Sequence, residues 1–302
     1  MEWDKDAADI FCSLLIADST REGAKVHAET IARRAGHDRV TGEDMAKTKK
    51  AYYGRTPEAV RLAEFRKRAG AGETELRQRM EQTARNLLKR DIELFTVIAC
   101  RAEPADRNFD PWELKPEVEQ KLKELDVTGI ITDKLTLKRP ISQHHKFVVS
   151  LAGCANGCVT PETRAFGLSG VMKPLINDNE CSQCYLCVDR CKQNAIILRK
   201  GRPEIDTSVC DYCGQCIKVC PKSVFEPAQA GFRVFVGGRL GRFHQPGFVL
   251  FRITDKATVM KALEAVVSLI RDEARGEEGI GDLIKRLGVA PIYERIYAPS
   301  VS

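Results

Sequence analysis

A doubled cysteine run constrains this chain more than any other feature. The first run reads Cys181-Ser-Gln-Cys184-Tyr-Leu-Cys187-Val-Asp-Arg-Cys191, and the second Cys210-Asp-Tyr-Cys213-Gly-Gln-Cys216-Ile-Lys-Val-Cys220-Pro221. Both have the spacing C-x2-C-x2-C-x3-C of bacterial two-cluster ferredoxins. Three thiolates at i, i+3 and i+6 of a tight loop reach three irons of one cube, while the fourth departs on the next turn and serves the other cube. The spacing predicts two [4Fe-4S] clusters. One rests on Cys181, Cys184, Cys187 and Cys220, and the other on Cys210, Cys213, Cys216 and Cys191. Zinc suits the pattern poorly, because its sites use separated C-x2-C pairs rather than a repeated triple. Disulfides suit it less, in a chain of 302 residues whose start, Met1-Glu-Trp-Asp-Lys-Asp, is too acidic for a signal peptide. The runs differ at one place: Cys191 is followed by Lys192 where the second run has Pro221.

Twelve cysteines in such a chain imply a reducing cytoplasm, where thiols are kept as ligands, and no apolar stretch approaches the ~20 residues of a membrane span. The expectation is a soluble cytoplasmic protein with room for one large core or several small ones. Between Lys47 and Arg68 eight basic residues face only Glu58 and Glu64. Their apolar interleaving at helical spacing, with no nucleic-acid motif, reads as a solvated helix face, with docking of an acidic partner second. No nucleic-acid partner is expected.

Four regions follow along the chain. Residues 1–54 read as a small helical module, with Ala7, Ile10, Phe11 and Leu14 on one stripe and Thr41 with Asp44 as a capping box. Residues 55–91 read as a helical linker, entered at Pro57, broken at Gly70-Ala-Gly72 and resumed from Glu73. Residues 92–176 and 226–302 read as one α+β domain, with strands at 94–99, 146–151, 232–236 and 248–253, a helix opened by Asp110-Pro111 and a long helix over 254–275. Residues 177–225 are the inserted ferredoxin segment. The strand at 146–151 ends in Gly153-Cys154-Ala-Asn-Gly157-Cys158, where glycines allow close backbone approach and two thiols make half of a cluster site.

The segment from His145 to Cys158 resembles the C-x3-C motif of the sulfite and nitrite reductase haemoprotein family. The inserted ferredoxin, the turn Val236-Gly-Gly-Arg239-Leu-Gly-Arg242 and the ending Gly276 to Gly288 follow in the order of the dissimilatory branch. The likeness covers about residues 92–297. It implies a single sulfite-reductase-like half domain with an antiparallel or mixed sheet. It also implies that Cys154 and Cys158 join an upstream C-x5-C pair around a further [4Fe-4S] cluster beside sirohaem. Cys100 stands at the first upstream position, but Asp106 replaces the second Cys. The site is then either a third cluster on Cys100, Cys154 and Cys158, with Asp106 as an oxygen ligand or none, or a buried thiol at Cys100. By the same resemblance Lys146, Arg239 and Arg242 are candidate sirohaem contacts, charge-assisted partners for its carboxylates, although Val148 replaces a second basic residue beside Lys146. Residues 1–54, through Trp3, Glu29, Ala32-Arg33-Arg34-Ala35-Gly36 and Val40-Thr41-Gly42-Glu43, are similar to the small helical domain of the dark-operative protochlorophyllide reductase B subunit. That likeness implies a docking module.

Two functions are compatible with these residues. The first is an iron-sulfur electron-transfer protein or subunit, working with a redox partner or as a homo- or hetero-oligomer. The second is a sirohaem-dependent reductase of sulfite, nitrite or a related small oxyanion, in which the cofactor carries the chemistry.

Overall fold

The computed structural model describes residues 1–54, 56–101, 107–241 and 244–298. Its contacts divide into two units: residues 1–94 with 128–146, and residues 95–127 with 147–302.

The first unit opens with a short strand β1 (Glu2–Trp3), helices α1 (Lys5–Ser13) and α2 (Asp18–Arg34), and strand β2 (Arg39–Val40), which pairs parallel with β1. Helices α3 (Gly42–Tyr53), α4 (Glu58–Ala69) and α5 (Glu73–Leu88) follow. Caps mark the starts. The Asp4 carboxylate accepts from the Ala7 amide at 2.6 Å, and Thr41 and Asp44 form the reciprocal box. Phe11, Leu14, Ala24, Ala28, Met45 and Ala84 are buried together between the helices. Arg21 is wholly buried as well, donating to the Phe11 and Leu14 carbonyls at the end of α1, where a cation complements the helix dipole. The Trp3 indole donates to Glu29 at 3.2 Å. Helix α4 buries none of its side chains, as a solvated basic face requires.

In the second unit, β3 (Phe95–Ala99) is followed by α6 (Pro111–Glu124), which Asp110 caps. Helix α7 (Val127–Lys134) starts the segment that packs in the first unit. Strands β4 (Phe147–Ala152) and β5 (Phe166–Ile176) come next, and then the ferredoxin segment with α8 (Leu186–Arg190), β6 (Ile196–Arg199), β7 (Arg202–Ile205) and α9 (Gln215–Val219). Strands β8 (Phe225–Val236) and β9 (Phe248–Thr254) and helices α10 (Lys256–Glu273), α11 (Ile280–Leu287) and α12 (Ala290–Tyr297) complete it. The sheet order is β3-β4-β5-β8-β9, parallel through the first three strands and antiparallel through the last two pairings, which makes the fold α+β with a mixed sheet.

Two consequences position the site. Strands β5 and β8 pair from Phe166↔Val236 to Ile176↔Phe225, so the ferredoxin segment is carried at the far end of a long two-stranded arm. Helix α10 buries Val259, Leu263, Val266 and Leu269 completely or nearly so, at about 1.5–3 kcal/mol for each large side chain. Among the described residues no helix is long and apolar enough to cross a membrane.

Candidate metal centre

The two cysteine runs fold alike because each needs the same strained turns. Gln183 and Tyr185 flank Cys184 with positive φ of 54° and 60°, and Tyr212 and Gly214 flank Cys213 with 50° and 75°. Asn194 and Ser223, each three residues past the last Cys of its run, repeat the pattern at 51° and 49°. Left-handed backbone at Gln, Tyr, Asn and Ser is costly and persists where a site over-determines it. Short helices α8 and α9 then carry Cys187 and Cys216 inward. Matching amides aim at sulfur: Ala195 donates to Cys191 and Val224 to Cys220, both at 3.3 Å.

Seven of the eight thiols fall into two sets of neighbours. Cys187 is pushed up by burial first, and then by the neighbouring charges of Cys220 and Cys181. Cys216 is pushed up to about 12, again by burial first, followed by Cys213, Cys210 and Cys191. The last Cys of each run thus lies among the thiols of the other. Cys191, Cys210, Cys213 and Cys216 together line one cavity of about 380 Å³. Cys184, by contrast, is exposed, and the Leu186 amide and Ser182 hydroxyl lower its thiol. Among the described residues no three His, Cys, Asp or Glu side chains converge as they would on a single metal ion. A cubane gives each thiolate its own iron, and four soft sulfur donors around one cavity fit that group.

Cys154 lines the same cavity as Cys191, Cys210, Cys213 and Cys216. It follows the end of β4, and the Gly153 amide before it donates to the Cys100 sulfur at 3.1 Å. Cys100 is tied further by its own amide to Leu151 and by its carbonyl to the Trp112 indole, both at 3.0 Å. Cys158 is exposed. Asp106 lies outside the described residues.

The loop from Cys210 to Cys213 is held from the sheet. Arg233 on β8 donates to the Asp211 carboxylate and carbonyl, Arg252 on β9 donates to the Cys210 carbonyl at 2.9 Å, and Met172 on β5 donates its amide to Tyr212. Across the cavity, Lys192 donates to the Asn156 side chain at 3.2 Å, so the residue that replaces proline links the first run to the Cys154–Cys158 turn. Arg233, Arg252 and Asn108 were not singled out in the sequence. Gly153, whose lack of a side chain permits close backbone approach, is where Asn108 and Gly170 meet the Cys154 segment.

Two of the three basic residues suggested for sirohaem are paired with carboxylates of this chain. Lys146 lies in the first unit, where its amine meets Glu22 at 3.0 Å. Arg239 lies in the second and donates to both oxygens of Asp282 at 2.7 Å. Arg242 lies outside the described residues.

A family model described as the nitrite and sulphite reductase 4Fe-4S domain matches residues 129–300, which include Cys154, Cys158 and all eight ferredoxin cysteines. The coenzyme F420-dependent sulfite reductase of Methanocaldococcus jannaschii is 31% identical over 154 residues, which are 50% of this chain and 25% of that protein. The dissimilatory-type sulfite reductase subunit beta of Archaeoglobus fulgidus is 27% identical over 128 residues, 38% of this chain and 35% of that one. The chain therefore spans about a quarter and about a third of the lengths of these two relatives. A solved structure of dissimilatory sulfite reductase I aligns with 68% of this chain and 52% of its own at a TM-score of 0.47 and 18% identity. With more than half of its residues inside the family model and the cysteine pattern in place, the chain belongs to the nitrite and sulphite reductase 4Fe-4S domain family.

Proposed function

We propose that the protein is an iron-sulfur electron-transfer component of a sulfite-reductase-like redox system. Cys181, Cys184, Cys187 and Cys220 would hold an outer [4Fe-4S] cluster, with the exposed Cys184 toward a donor partner. Cys191, Cys210, Cys213 and Cys216 would hold an inner cluster, and Cys100, Cys154 and Cys158 a third toward an acceptor partner, the clusters supplying single-electron transfer. The observation that carries this reading is the cavity that Cys154 shares with Cys191, Cys210, Cys213 and Cys216. A shared cavity supports the passage of electrons between the two segments. The bound clusters supply the redox chemistry. The chain supplies thiolates, sulfur-directed amides and an apolar surround of Ile196, Val224 and Phe225.

Sirohaem chemistry has less support. Lys146 and Arg239 are each paired with a carboxylate of this chain, and a sirohaem carboxylate would have to displace Glu22 or Asp282. The test is an anaerobic absorption spectrum with iron and acid-labile sulfide counted on the same sample and an acid-acetone extract assayed for sirohaem. About twelve irons without sirohaem is the expected result. Sirohaem in the extract, or no sulfide, would overturn the reading.

A further inference from the structure

We infer that Asn108 is a positioning residue that sets the inner ferredoxin loop against the Cys154 segment and bridges the two for electron transfer. Its side-chain amide nitrogen donates to the Cys213 carbonyl at 3.2 Å and to the Gly170 carbonyl at 3.0 Å. Its main-chain amide donates to the Gly153 carbonyl at 2.7 Å, and that carbonyl belongs to the peptide bond leading into Cys154. One asparagine and two hydrogen bonds thus connect Cys213 to Cys154.

The surroundings are built to bring these groups together. A Cβ at Gly170 would stand 2.4 Å from the Gly153 oxygen, and one at Gly214, next to Cys213, would stand 3.4 Å from the Asn108 oxygen and 3.0 Å from the Met172 Cβ. Among the described residues the Asn108 side-chain oxygen is buried without a hydrogen-bond partner. Leaving a buried carbonyl unpaired is costly, and stability alone does not explain it. Both acceptors of the amide nitrogen are carbonyls, so turning the amide over would face oxygen to oxygen, and the orientation is determined. An aliphatic residue of similar size would avoid the unpaired oxygen but lose the link. The bridge is therefore what the asparagine contributes.

The proposal rests on the electron-transfer reading above. Clusters held by these two segments would supply a one-electron exchange, the inner one oxidised and the one at Cys154 reduced, with no bond or proton changing hands. The test compares wild type with Asn108→Ala and with Phe109→Leu, which trims the packing beside the bridge and leaves its hydrogen bonds. Each is reduced with less than one equivalent of dithionite, freeze-quenched over time and followed by electron paramagnetic resonance, with iron counted. In Asn108→Ala, iron and the separate midpoint potentials should match wild type, while passage of the electron between the two signals slows several-fold and their magnetic coupling weakens. Phe109→Leu should behave as wild type.

Equal rates in Asn108→Ala and wild type would overturn the proposal, as would equal slowing in both variants, which would mean packing. If Asn108→Ala loses iron, Asn108→Ser, too short to reach the Cys213 carbonyl, takes its place. Loss of iron there too would make Asn108 a folding residue only and would also refute the bridge. A wild type that holds the ferredoxin clusters but none at Cys154 would sink the bridge and leave electron transfer standing. A wild type without clusters would sink both.

Discussion

Arg233 and Asp211 are joined twice, guanidinium to carboxylate and guanidinium to main-chain carbonyl, the latter at 2.8 Å. The pair fastens the inner cysteine loop to β8, and the Arg233 side chain is largely buried. Hydrogen bonds to charged groups contribute about 1.5–3 kcal/mol each. Replacing Arg233 with Met should loosen the Cys210–Cys213 loop by about that amount and speed loss of the inner cluster in air. Bleaching of the visible absorbance, followed in wild type and variant side by side, measures it. Equal bleaching rates would mean that the clasp does not hold the cluster.

Cys191 belongs by sequence to the first run and by position to the thiols of the second. Cys191→Ser and Cys216→Ser should therefore each remove the inner cluster, and the double variant should lose no more iron than either alone. Cys191→Ser combined with Cys187→Ser should lose both ferredoxin clusters. Iron counts on the four proteins decide the pairing, because only sites that share a cluster are non-additive in this way. Additive loss for Cys191 with Cys216 would contradict the crossed assignment.

Gly170 has no room for a side chain: an added Cβ would meet the Gly153 oxygen at 2.4 Å and the Phe109 ring at 2.7 Å. Gly170→Ala should destabilise the second unit by about 1–3 kcal/mol, the ordinary cost of overpacking. Gly72→Ala is the control, since nothing lies within 4 Å of its Cβ position and its φ is −94°. It should be neutral or stabilising by about 0.4–1 kcal/mol. Thermal melts of both variants check the contrast.

His27 is buried against the Tyr52 ring, and burial first, with Arg34 second, lowers its pKa from 6.5 to about 4. The unfolded chain binds this proton more readily than the folded one, so the imidazole contributes stability that is present above pH 6.5 and lost as pH falls toward 4. Within that window the loss is about 1.4 kcal/mol per pH unit. Urea midpoints of the first unit's transition at pH 7 and pH 5 should differ accordingly, and His27→Leu should reduce the difference. An unchanged pH dependence in His27→Leu would show that another group titrates.

Much of this protein was legible locally. The intervals between cysteines dictate the turns, because a tight loop that offers thiols at three-residue spacing has few backbone solutions. Thr41 with Asp44, and Asp110, announce helix starts through side chains that reach only three residues or fewer. The alternation of Phe232 to Val236 likewise marks a strand, though the paired length of β8 from Phe225 and the whole of β5 were not marked. Their pairing depends on each other across the inserted ferredoxin segment, and helix α12 depends on packing against α10.

Tertiary structure alone decided that Cys154 stands beside the inner ferredoxin loop. Nothing near Cys154 in the chain says that it shares a cavity with Cys213, or that Asn108 reaches both segments. Nothing in residues 128–146 says that they pack with the helical unit, where Leu135 and Ile141 join Val26 and Leu94 in a buried cluster. These arrangements come from contacts between residues far apart in sequence, whose stabilisation appears only after the entropy of closing the intervening chain has been met. Local spacing specifies the turn and its donors; burial and long-range hydrogen bonding specify what stands opposite.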